Sequence, residues 1–302
     1  MMRTRNLAAL LAGAGLALLV AVPSRAQQPL AEPMLWLLPE FDVDEAQQKA
    51  NADKHLLRPL TDYLIQHWPE EHHELLVATV RRRWKLMASA EKACILVALR
   101  TPEREAIAYF LDTNLYPPVQ LIAPRSRIGE LPRNAQGEVD LAQLLRLPSW
   151  HGALIEGRSY GPKLDALLSQ APPSALSYYT PRDFGERLLQ MVQIGRADYT
   201  IEFDSTLSRK REQSGTMQEL LALPIQGIGE PLVAAIACVR NDWGRQALVK
   251  IDALLRTPKG VAALRQSFDR WMTPETRARY LDRLEAYHAQ RLRGVAASQA
   301  KP

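Results

Sequence analysis

The chain has 302 residues, 47% of them hydrophobic and 24% charged, with a formal charge of +5 and two cysteines. That balance is ordinary for a packed globular fold, and the length suffices for two lobes or one large domain. Three of the positive charges, Arg3, Arg5 and Arg25, lie in an N-terminal segment read below as removable; the remainder carries +2, which gives no argument for a nucleic-acid partner.

The first 26 residues have the three parts of a Sec-type signal peptide. Arg3 and Arg5 form the positive region, Leu7 to Val22 is apolar, and Ser24 and Ala26 are the small residues at −3 and −1 of a cleavage site. The apolar run is shorter than the ~20 residues a bilayer-spanning helix needs, so it reads as a signal that is cut rather than as an anchor. The mature protein, about Gln27 to Pro302, is then periplasmic. In that oxidising compartment Cys94 and Cys238 can pair, although their separation in sequence neither supports nor excludes the bond.

From Pro33 onward strands and helices alternate. Met34 to Leu38 reads as a strand, Lys54 to Trp68 as a helix with Leu56, Leu57, Leu60, Tyr63, Leu64 and Trp68 on one face, and His73 to Thr79 as a second strand. Val80 to Ser89 is helical and Ala93 to Leu99 is a β-rich run, an order that argues for a parallel α/β unit. The proline-rich stretch Tyr116 to Asn134 reads as a connection or an edge segment. A short helix follows at Asp140 to Leu145, then strand Gly152 to Glu156 and a helix from Pro162 to Ser169 with proline at its first position. Arg182 to Ile194 is helical and Asp198 to Phe203 has strand alternation, so the middle third is a second α/β unit. After the turn-rich Pro224 to Pro231 come strand Leu232 to Val239, helix Trp243 to Leu255, and a last helix from Pro274, capped by Thr273, to about Arg293.

Three places carry candidate chemistry. Thr101-Pro102-Glu103-Arg104 follows a strand's carboxyl end, where ligands bind in α/β folds, and the planar fork of Arg104 matches a carboxylate. Gly157-Arg158-Ser159-Tyr160-Gly161 joins a strand to a helix start, a setting that exposes N–H groups to an anion. The same five residues fit G-x-S-x-G, the turn of serine hydrolases, but only His288 follows Ser159 and no oxyanion loop precedes it. Gly195-Arg196-Ala197-Asp198 leads into a strand whose end carries Glu202 and Asp204, acids able to meet an ammonium group. His72 and His73 beside Glu70, Glu71 and Glu74 lack metal-site spacing. Arg81, Arg82 and Arg83 point in different directions on a helix and read as a solvated helix start.

These stretches, taken in order, resemble the type II periplasmic solute-binding fold, and specifically extracellular binding protein family 3 of polar amino acid uptake systems. The similarity rests on MLWLLPEF, ACILVALRTPEREAIAYF, GALIEGRSYGPKLDALL, GRADYTIEFD and ACVRNDWGRQALVKIDALL. A less characterised branch of the same fold shares the TPERE and GRSYG wording. The resemblance implies an α/β protein of two lobes, each a mainly parallel sheet flanked by helices. Residues 27–118 and 232–302 would form lobe 1, and 119–231 lobe 2. The lobes would close by a hinge over a small polar ligand such as an amino acid or another carboxylate.

The ligand contacts implied are Trp36, Thr101, Arg104, Arg158, Ser159 and Glu202, with Arg104 holding the carboxylate against the Arg158–Ser159 turn. The usual place of the acid that holds an amino acid's ammonium falls on Phe203, flanked by Glu202 and Asp204. The resemblance further implies a monomer working with an inner-membrane ABC permease, with no enzyme activity and no cofactor. With both cysteines flanking strands of lobe 1, a Cys94–Cys238 bridge is expected within that lobe. Two other readings stay open: a serine hydrolase using Ser159, and a diverged binding fold with a non-transport role or a protein partner.

Overall fold

Runs that are apolar without alternation make strands buried on both faces, and three of them build the first sheet. A computed structural model describes residues 32–39, 57–181, 185–269 and 272–293. The expected signal segment, residues 1–26, lies outside the described residues.

In the first lobe, β1 (Met34–Leu38) lies between β2 (His73–Val77) and β3 (Ala93–Ala98), all parallel. Helix α1 (Arg58–Gln66) joins β1 to β2, and α2 (Val80–Met87) joins β2 to β3. Thr79 caps α2, its Oγ1 accepting from the Arg82 N–H. After a single turn of helix, α3 (Pro102–Glu105), the chain adds β4 (Ala108–Tyr116). It then crosses through Pro117, Pro118 and Val119 into the second sheet.

That sheet repeats the plan with β5 (Gln120–Pro124), β6 (Gly152–Ile155), β7 (Leu176–Tyr179), β8 (Tyr199–Glu202) and β9 (Leu220–Leu223), in the order β7-β6-β8-β5-β9. Its helices are α4 (Leu141–Leu144), α5 (Pro162–Ser169), α6 (Glu186–Gln193) and α7 (Asp204–Ser214). Residues 224–231 carry the chain back to β10 (Leu232–Val239), which inserts between β3 and β4 to give the order β2-β1-β3-β10-β4. The chain ends with α8 (Asp242–Leu255), α9 (Pro258–Phe268) and α10 (Pro274–Leu292), capped by Asn241, Thr257 and Thr273.

The architecture is the two-lobed α/β fold that the resemblance implies. Each sheet is mixed: three adjacent parallel strands carry the crossover helices, and one strand next to an interlobe crossing, β10 in the first sheet and β5 in the second, runs antiparallel to both its neighbours. The longest strand, β4, falls where the sequence reading placed no strand. Its register against β10 slips between Ala234 and Ala235, so that Ala234 faces Asn114 and Ala235 faces Asp112. Thr113 is the extra residue of this bulge, and its hydroxyl donates to Ala234 O. A bulge breaks the period of two on which a strand is recognised.

Packing ties the lobes into one body. Cys94 and Cys238 face each other across β3 and β10 and are joined by a disulfide, both sulfurs buried. Asp204, at the start of α7, accepts from the hydroxyls of Thr273 and Thr276 in the first turn of α10. Further along α10, Tyr280 donates to Gly229 O, Arg283 pairs with Glu230, and Arg291 reaches Asp252 and Asp112 O. The last helix therefore bridges the second lobe, the return crossing and the first sheet. No helix among the described residues is long and apolar enough to cross a membrane.

Candidate functional site

The carboxyl ends of β3, β6 and β8 meet at the seam between the lobes, the place where open α/β sheets bind ligands. There the structure has a half-open cavity of about 60 Å³. Lobe 1 supplies Val80, Arg83 and Trp84 from α2, Val97 to Leu99 from the end of β3, and Arg104 from α3. Lobe 2 supplies Arg158, Ser159 and Tyr160 from the turn after β6, and Phe203 after β8. Tyr116, Val119 and Leu232 form the wall nearest the crossings.

Each element is placed by its own sequence. Thr101 is extended and caps α3, its Oγ1 accepting from the Arg104 N–H, and Pro102 fits the first helical position. That single turn swings Arg104 over the ring of Trp84, with 4.6 Å from the guanidinium carbon to the ring centroid. In the second lobe, Gly157 and Gly161 both adopt positive φ, 74° and 97°, which lets the chain reverse twice within five residues. Asp165, one turn into α5, accepts from the Ser159 hydroxyl and from the Tyr160 N–H and holds the turn rigid.

Three guanidinium groups thus line one small cavity, and they are treated differently. Arg158 is paired in bidentate fashion with Glu202, Nη1 to Oε2 and Nη2 to Oε1, the latter at 3.0 Å. Glu202 is 1% exposed, and its Oε1 also accepts from the Phe203 N–H. Gly185 makes room for that carboxylate; with φ of 95° it carries no side chain, and a methyl group there would overlap Glu202 Oε2. Burial opposes the charge on Arg158, but the Glu202 carboxylate more than offsets this and holds the group protonated well beyond its ordinary range.

Arg104 donates Nη1 to Leu99 O and Nη2 to Gly157 O, each at 2.8 Å. The second of these bonds crosses between the lobes. Outside the cavity, Arg81 Nη1 to Glu156 Oε1 at 2.6 Å is a second tie across the seam. Arg83 is 5% exposed, its Nε is buried without a hydrogen-bond partner among the described residues, and the charges it feels include Arg104 and Arg158. Burial, and then the like charges, push Arg83 down to about 10; burial pushes Arg104 down to about 10, against the pull of Asp165 and Glu103. Both stay charged at neutral pH. A buried guanidinium without a counter-ion costs several kcal/mol, so such an arrangement is poised for an anion.

Of the six ligand contacts expected from sequence, Arg104, Arg158 and Ser159 line this cavity. Thr101 stands one step back as the cap of α3. Trp36 does not reach the cleft: it is fully buried in the first lobe, and its Nε1–H donates to His73 Nδ1 at 3.1 Å. Trp36 is the middle residue of β1, away from the strand's carboxyl end. Glu202 faces Arg158 and Asp204 faces two threonines, so neither acid points into the cavity. Arg83 was read as part of a solvated helix start. The missed signal is the stripe Val80, Arg83, Trp84 and Met87, spaced i, i+3, i+4, i+7 on α2, which places Arg83 on the inward face. Among the described residues, no group of three or more His, Cys, Asp or Glu side chains is placed to hold a metal.

No protein-family model matches the chain, and no curated protein sequence does. Solved structures share its fold. A histidine kinase sensor domain with similarity to periplasmic binding proteins is 11% identical with a TM-score of 0.58, over 80% of this chain and 96% of that one. An amino acid ABC transporter substrate-binding protein from Streptococcus pneumoniae, bound to L-arginine, is 14% identical with a TM-score of 0.56, over 79% and 93%. The VFT2 domain of BvgS from Bordetella pertussis is 14% identical with a TM-score of 0.55, over 80% and 93%. The chain has the two-lobed periplasmic-binding-protein fold.

Proposed function

We propose that this protein is an exported, non-enzymatic binding protein that captures a small oxyanion between two hinged lobes. Lobe 1 comprises 27–118 and 232–302, lobe 2 comprises 119–231, and residues 1–26 direct export to the periplasm and are removed. The observation that carries the reading is the convergence of Arg83, Arg104 and Arg158 on one cavity at the interlobe seam, where among the described residues only Arg158 of the three is ion-paired, with Glu202, and Asp165 and Glu103 act on Arg104 without a salt bridge. Arg104 reads as a latch: it reaches the ligand from lobe 1 while its bond to Gly157 O draws the lobes together. Proteins of this fold include transporter components and sensor domains. Delivery to an inner-membrane ABC permease, by a monomer without a cofactor, is the role proposed here.

The hydrolase reading finds no support in the site. The Ser159 hydroxyl donates to Asp165, and the cavity lining holds no histidine among the described residues. Isothermal titration with small carboxylates, amino acids and inorganic phosphate tests the proposal. At least one of them should bind, and Arg104→Ala should weaken it by about tenfold or more, the loss of one charge-assisted contact. Equal binding by both proteins would remove Arg104 from the site.

A further inference from the structure

Building on that reading of the cleft, we infer that its ligand is a compact oxyanion with two negative charges and no ammonium group. The first support is the charge around the cavity. Glu202 is committed at both oxygens to Arg158, which leaves Arg83 and Arg104 without a salt bridge to a carboxylate among the described residues; Asp165 and Glu103 act on Arg104 only from a distance, and no carboxylate is among the charges that Arg83 feels. Arg83 is the stronger of the two, because Arg104 has two backbone carbonyls while the buried Nε of Arg83 has no acceptor. A single carboxylate would neutralise one of the pair and leave the other desolvated. A dianion neutralises both.

The second support is what an ammonium group would meet. No Asp or Glu lines the cavity among the described residues. Where β8 ends, the chain turns the ring of Phe203 into the cleft, Glu202 toward Arg158, and Asp204 toward Thr273 and Thr276. A ligand ammonium would therefore sit among guanidinium groups, hydroxyls and apolar walls, with no carboxylate to pair with it. The third support is size. At roughly 10–15 Å³ for each water-sized position, a half-open cavity of about 60 Å³ has room for the charged groups of malonate or phosphate beside the guanidinium groups.

Titration calorimetry of the purified protein at pH 8, with malonate, inorganic phosphate, acetate, glycine and L-arginine, separates the outcomes. Malonate or phosphate should bind about 30-fold or more tighter than acetate, with glycine and L-arginine giving no saturable heat. The better of the two dianions identifies the ligand as a dicarboxylate or a phosphate. Arg83→Met should narrow the ratio of dianion to acetate affinity to within about threefold and, without ligand, raise Tm, since it removes an uncompensated buried charge. A fall in Tm on Arg83→Met would mark Arg83 as a structural cation and overturn the inference. So would glycine or L-arginine binding more tightly than both dianions, although the cleft itself would stand as a ligand site. Binding of none of the five would overturn the cleft reading as well.

Discussion

Arg158 and Arg83 are buried in the same cavity from opposite lobes, and the two lobes handle the charge in opposite ways. Lobe 2 surrounds Arg158 with a bidentate carboxylate and with the rings of Tyr160 and Phe203, so its guanidinium is fixed before any ligand arrives. Lobe 1 leaves Arg83 facing two other arginines. A cation that is already paired contributes rigidity and shape. A cation left unpaired holds free energy that an incoming anion releases, so it contributes affinity at the expense of stability. The first lobe can carry that burden because β3 and β10 are stapled by Cys94–Cys238.

The largest test of this contrast is Glu202→Gln. It converts Arg158 into a second uncompensated cation and should cost about 3–5 kcal/mol in chemical denaturation. A loss below about 1 kcal/mol would mean that the pair does not hold Arg158 in place. Next comes pH. His288 on α10 is 2% exposed with neither ring nitrogen hydrogen-bonded among the described residues, and burial, then the nearby charge of Arg265, lowers it to about 4. Its folded value lies below the ordinary ~6.5, so the unfolded chain binds the extra proton first. Stability is then complete above about pH 6.5 and falls by about 3 kcal/mol as pH drops to about 4. Unfolding measured across pH 4–8 should lose this slope in His288→Gln. Unlike His288, Arg83 cannot shed its proton at any such pH, and only an anion relieves it.

Smaller effects probe the joints between the lobes. Asp204→Ala removes the acceptor shared by Thr273 and Thr276 and should cost about 2 kcal/mol, read as a lowered denaturation midpoint. Arg81→Ala breaks a pair in which Arg81 is largely in water and Glu156 is partly so, and should change stability by less than about 1 kcal/mol. A larger loss would show that this surface tie, rather than Arg104, holds the seam.

Much of the fold was legible because it rests on short signals with strong physics. β1, α5 and β10 begin and end where the apolar runs and Pro162 place them. What escaped lacks such signals. β4 is interrupted by its bulge, β7 and β9 are four-residue edge strands, and α7 is a charged helix with almost no apolar face. The site divides in the same way. Gly157 and Gly161 announce a turn by their backbone needs, and Arg158 and Ser159 within it line the cavity. Arg83 is a charged residue on a buried face; its position is set by the phase of α2 from Thr79, and the run of three arginines obscures that phase. Trp36, in the middle of β1, and Glu202, at the end of β8, face His73 and Arg158, neighbours that the sequence does not name.

The space kept open at Gly185 ties together elements far apart in the chain. Arg158 comes from the turn after β6, Glu202 from β8, and the room for its carboxylate from the residue before α6. Ligand preference on this side of the cleft therefore cannot drift one residue at a time. Replacing Arg158 alone strands a buried anion, and enlarging Gly185 displaces that anion from its cation. Re-engineering the second lobe toward a neutral ligand would have to exchange Arg158 and Glu202 together, whereas on the first lobe Arg83 can be altered by itself.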